Sequence, residues 1–66
     1  SDVNATLSRL SSEERQVVEI LRGGQRLVDD VIAETGMTTG KLLGILTMLE
    51  LKGVIRRLPG KQISLK

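Results

Sequence analysis

The chain has 66 residues, 39% of them hydrophobic, and carries 10 Lys and Arg against 8 Asp and Glu, a net charge of +2. It contains no Phe, Trp, Tyr, His or Cys. This excludes a Cys/His zinc site, Cys or His catalysis, a disulfide framework, and the aromatic platforms on which single-strand binders stack unpaired bases. One domain of this size buries only about 60% of its unfolded surface, so its Leu, Val and Ile residues must fill the core closely. No apolar run approaches the roughly 20 residues of a membrane span, and the polar N-terminus does not read as a signal peptide. A cytoplasmic setting without membrane contact is expected. The start at Ser1 rather than Met leads us to expect a piece of a longer protein.

The charge is unevenly spread. Residues 1–35 hold four Arg against seven acids, a net of −3, whereas residues 36–66 hold six Lys and Arg against Glu50 alone, a net of +5. A half that basic is either a polyanion footprint or a solvated, solubilising surface.

In chain order, residues 1–9 read as a flexible linker or arm, with Leu7 and Leu10 able to pin its end, and residues 10–66 read as the domain. Ser11 with Glu14 three residues on forms a capping box that opens the first helix. Val17, Ile20 and Leu21 give its apolar stripe with Val18 flanking, and Gly23-Gly24 stops it. Gln25 to Val28 is long enough only for an edge strand or an extended lead-in. Asp29-Asp30 opens a second helix through Thr35, with Val28, Val31 and Ile32 apolar and Ala33 beside them, and Gly36 ends it in the usual left-handed cap position. After Met37-Thr38-Thr39, with Thr38 or Thr39 as cap, a third helix runs from about Gly40 to Lys52. Leu42, Ile45, Leu46 and Leu49 mark its buried stripe, Leu43 and Leu51 widen it, and Gly53 closes it. Val54–Leu58 and Lys61–Leu65 flank Pro59-Gly60 and read as a hairpin, through a type II turn or a slightly longer loop. Alternation prevents Arg56 and Arg57 from sharing a face, so one is exposed and the other lays its stem along the sheet.

The expected fold is therefore mainly α with a small β-hairpin. It is a winged helix-turn-helix of three helices, a short edge strand and a two-stranded wing. A plain three-helix bundle would leave Ile63 and Leu65 without a role.

Three stretches carry a family resemblance. They are Leu10-Ser11-Ser12-Glu13-Glu14-Arg15, Asp29-Asp30-Val31-Ile32-Ala33-Glu34-Thr35-Gly36, and Leu46-Thr47-Met48-Leu49-Glu50-Leu51-Lys52-Gly53-Val54-Ile55-Arg56-Arg57-Leu58-Pro59-Gly60. The chain over about residues 10–65 resembles the C-terminal winged-helix domain of the bacterial DNA-processing protein A (DprA/Smf) family. It departs from commoner members at Ile63, where an aromatic is usual near the end of the last strand, and at Met48, where a charged residue is expected. The resemblance implies a parent protein whose main domain is Rossmann-like, binds single-stranded DNA and helps load a recombinase during natural transformation. Some members lack the winged helix, which implies an accessory role: duplex DNA contact, or a protein contact that regulates the main domain.

For DNA contact the candidates are Thr38, Thr39 and Lys41 at the start of the third helix, Lys52 at its end, and Arg56, Arg57 and Lys61 on the wing. The exposed helix face, with Lys41, Gly44, Met48 and Lys52, lacks the Arg, Asn or Gln that base readout needs, so contact should be largely independent of sequence. Gly40 and Gly44 lie four apart and each costs a helix about 1 kcal/mol, which points to close approach by a neighbouring helix, a partner or a DNA backbone. Gly40, Gly44 and Met48 are accordingly candidates for a protein partner. Glu50 is expected to pair with a nearby cation. No nucleophile–base pair, phosphate loop or carboxylate pair is present, so we expect neither an enzyme nor a cofactor or metal. Weak duplex DNA contact is the leading reading and a protein-interaction or autoregulatory module the alternative. About four phosphate contacts would weaken binding roughly a hundredfold between about 50 and 200 mM salt.

Overall fold

The computed structural model describes residues 9–66. The expected arm lies outside the described residues except for Arg9, as does the pin at Leu7; Leu10 is buried in the core. The elements follow in the order α1 (Ser12–Leu21), β1 (Arg26–Leu27), α2 (Val28–Thr35), α3 (Thr39–Leu51), β2 (Ile55–Leu58) and β3 (Gln62–Leu65). The three strands form one antiparallel sheet in the order β1-β3-β2. This is the winged helix-turn-helix architecture.

Local chemistry sets the helix ends. At the start of α1 the Ser11 hydroxyl accepts from the Glu14 N–H at 3.1 Å and the Glu14 carboxylate accepts from the Ser11 N–H at 2.8 Å, the reciprocal capping box. α2 begins one residue before the expected acids, because Val28 donates its N–H to the Lys61 carbonyl at 2.9 Å and is drawn against the wing. Gly36 caps α2 at φ 72°. The Thr35 hydroxyl donates back to the Val31 carbonyl at 2.8 Å and accepts from the Met37 N–H at 3.2 Å, tying the bend. Thr38, rather than Thr39, caps α3, its hydroxyl accepting from the Lys41 N–H at 3.2 Å. α3 ends in a Schellman motif: Gly53 at φ 74° donates to the Glu50 carbonyl, and Val54 donates to the Leu49 carbonyl.

The core is a single aliphatic cluster at the junction of all three helices and the sheet. Val17, Val18 and Leu21 come from α1, Val31 from α2, Leu42, Leu46 and Leu49 from α3, and Ile55 and Ile63 from the sheet. Ile63 is fully buried in that cluster.

Two details of the apolar stripes differ from expectation. On α1 Val18 is buried and Ile20 only half-buried, so the core-facing side centres on Val17, Val18 and Leu21. On α3 Leu43 and Leu51 do not widen the buried stripe. They are 39% and 77% exposed, while the core takes Leu42, Leu46 and Leu49 from this helix. Ala33 on α2 is likewise exposed.

The strand pairing also adds to the expected wing. Arg26 and Leu27 pair with Ile63 and Gln62, so the short segment is the outer strand of a three-stranded sheet rather than a loose lead-in. Leu58 pairs with Gln62, leaving Pro59, Gly60 and Lys61 as a three-residue loop. Gly60 at φ 81° suits a type II turn, and Lys61 at φ 59° adds a second left-handed residue.

Candidate nucleic-acid interface

The register sorts the wing residues. Arg57 lies opposite Ile63 and two residues from Ile55, so it shares the core-facing side of the sheet. Its stem crosses that face and its Nε donates to the Glu50 carboxylate of α3 at 2.7 Å. Arg56 lies opposite Ser64 and points to the outer face, exposed. One arginine is spent within the fold and the other is not.

The lysines of α3 are also spent. Lys41 pairs with Glu13, and Lys52 donates to both oxygens of Glu14 at 2.9 and 3.1 Å. Glu14 is 6% exposed and also accepts from Ser11, so it clamps the start of α1 to the end of α3. Burial pushes its carboxyl pKa up. The Ser11 N–H, the bond to and charge of Lys52, and the Ser11 hydroxyl outweigh that and hold it below the usual 4.5. Lys52 is thus the counter-ion of a buried carboxylate.

Five of the seven candidate residues for DNA contact therefore fall into two groups on opposite flanks of α3. Lys41 and Lys52 face α1. Thr39, Arg57 and Lys61 line one groove between α3, the start of α2 and the wing, about 310 Å³ in volume. Its remaining walls include the apolar side chains of Val28, Ile32, Leu43 and Leu58. Thr38 stands at the head of α3 with its hydroxyl engaged in the cap, and Arg56 lies on the outer sheet face.

Lys66 is an addition that the sequence did not single out. Its N–H donates to the Val54 carbonyl at 3.0 Å, which extends the ladder, and it follows Ser64 by two residues on the Arg56 side. The strand alternation could have found it. Among the described residues no ion pair engages Arg56, Lys61 or Lys66, so the exposed wing keeps its positive charge.

The candidate protein-contact residues form a separate surface. A Cβ placed at Gly40 or at Gly44 would meet nothing within 4 Å, which removes close internal packing as the reason for either glycine. Met48, on the same side, is 47% exposed. Glu50 pairs with Arg57 as expected.

Among the described residues no helix is long and apolar enough to cross a membrane. No curated protein and no solved structure matches the chain. The family model of the DprA winged helix domain matches residues 2–61, nearly the whole sequence, and with the fold above it places the chain in the DprA winged-helix family.

Proposed function

We propose that this accessory domain touches duplex DNA weakly and without sequence preference, through the wing and the adjoining head of α3. The observation that carries this reading is the charge left over. Arg56, Lys61 and Lys66 are exposed without an ion-pair partner among the described residues. Phosphate oxygens are the partners such cations favour, and Thr39 adds a hydroxyl to the groove that Lys61 and Arg57 line together with the Asp29 carboxylate. Lys52 does not join the proposed surface, because leaving would strand Glu14. Gly60 leaves the wing tip slender enough to approach a backbone closely. The outward side of α3 supplies no bidentate donor, which favours positioning contacts over base readout. No catalytic step and no cofactor enter this reading. Its setting is the bacterial cytoplasm, in DNA processing and recombination during natural transformation.

An NMR titration of the chain with a short duplex and with single-stranded DNA tests this. Shifts at Thr39, Arg56, Lys61 and Lys66 that appear with duplex and fade as salt rises are the expected result. With three phosphates contacted, affinity falls about 40-fold between about 50 and 200 mM salt. No shifts at low salt with either nucleic acid would refute the reading.

The alternative, a protein contact, has its own observation in the outward face of α3.

A further inference from the structure

The carboxylates of the domain divide as its cations do. Glu13 pairs with Lys41, Glu14 with Lys52, Glu19 with Arg22, Glu34 with Arg26 and Glu50 with Arg57. Asp29 and Asp30 stand exposed in the first turn of α2, and among the described residues no ion pair engages either of them. The positive end of the helix dipole favours an acid at both positions alike. Their surroundings differ. Asp29 lines the groove between α2, α3 and the wing, together with Thr39, Arg57 and Lys61, whereas Asp30 lies outside it. The wing loop is fastened at that point, because the N–H of Val28 donates to the Lys61 carbonyl at 2.9 Å. That bond holds the backbone of Asp29, the next residue, close to that of Lys61.

The charges of the groove then nearly cancel. Arg57 is neutralised by Glu50, which leaves Lys61 as the unpaired cation and Asp29 as the unpaired anion. The two are not in ion-pair contact, so Lys61 is open to an anion from outside. A phosphate that reaches Lys61 and Thr39 from the groove side also meets the Asp29 carboxylate.

We infer that Asp29 is a built-in brake on phosphate binding at this groove: it opposes the anion that Lys61 and Thr39 attract, and so holds the duplex affinity of the domain down. This role rests on the DNA-contact reading above and gives a physical reason for the weakness of that contact. The brake acts by position. Arg56 and Lys66 lie on the outer face of the sheet and do not line the groove, so a phosphate held there is spared the repulsion. Asp29 thereby biases a bound duplex toward the outer face of the wing. Repulsion across a solvated groove is modest and is screened by salt.

Duplex titrations of Asp29→Asn and Asp30→Asn beside the parent chain, at about 50 and 200 mM salt, test this. Each variant removes one negative charge from the same helical turn, so net charge and dipole change alike and the groove alone distinguishes them. Asp29→Asn should bind duplex about threefold tighter at the lower salt, mainly through faster association, and the gain should shrink at the higher salt. Amide shifts at Ile32, Thr39 and Leu43, which belong to the groove or its walls, should grow relative to those at Arg56 and Lys66. Asp30→Asn should change affinity by less than about 1.5-fold. The two variants should melt alike, so a gain confined to Asp29→Asn is a property of the groove and not of the fold. Unchanged or weaker binding by Asp29→Asn, or an equal gain from Asp30→Asn, would overturn the inference and leave the DNA-contact reading in place. Binding by neither the parent nor Asp29→Asn at the lower salt would remove both.

Discussion

The lysines at the two ends of α3 and most of the cations of the wing are used differently. On α3, Lys41 and Lys52 each hold a glutamate of α1, whereas on the wing Arg56, Lys61 and Lys66 hold none among the described residues. Charge counted along the sequence therefore overstates the charge available to a partner. The basic surplus of residues 36–66 is in part the counter-charge to the acidic start of α1, folded back onto it. What remains free is concentrated on one thin element.

Removing a cation from each region should have opposite consequences for stability and for binding. Lys52→Met leaves the Glu14 carboxylate buried with Ser11 alone, which should cost about 2–3 kcal/mol of stability in chemical denaturation. Duplex binding by the folded fraction should not change. Acid sharpens the same point. The folded pKa of Glu14 lies below its unfolded value, so its contribution is present in full above the unfolded pKa and is lost as pH falls through the folded one. Melting temperature should accordingly drop in acid below the normal carboxylate range, and Glu14→Gln should drop less over that interval.

The wing should respond in the opposite sense. Replacing Arg56, Lys61 and Lys66 together by Ala should remove most duplex affinity, on the order of 2 kcal/mol at low salt, and leave stability within about 0.5 kcal/mol per site. Lys41→Ala falls between the two classes. Its pair with Glu13 is exposed on both sides, so the loss should stay below about 1 kcal/mol and the salt dependence of binding should not change. The smallest expected effect is Gly44→Ala, which fills open space on a helix and should raise stability by about 0.5–1 kcal/mol in a thermal melt.

Features that depend on neighbours in the chain were legible in the sequence. The Ser11/Glu14 capping box, the left-handed Gly36 and Gly53, and the hairpin around Pro59-Gly60 are all set within a few residues, and each lies where its spacing predicts. Features that depend on distant partners were not. Lys52 meets Glu14 across 38 residues, so spacing alone left it looking like a surface cation. Leu51 continues an apolar run on α3, but the core approaches that helix from one side only, and a helix apolar all round does not reveal which side. The second left-handed residue, Lys61, follows from a strand register that places Leu58 opposite Gln62, and no turn residue at Lys61 announces it. Of the candidate site residues, the structure groups Thr39, Arg57 and Lys61 around one groove and sends Lys41 and Lys52 to the opposite flank.

The most direct test of the division between spent and available cations is the salt dependence of duplex binding by the intact chain. A slope of log affinity against log salt of about −2.7 is predicted, the value for three phosphates neutralised by the wing. A slope near −4.5, the value for about five contacts, would mean that Lys41 and Lys52 leave their glutamates to reach DNA, and would contradict the account.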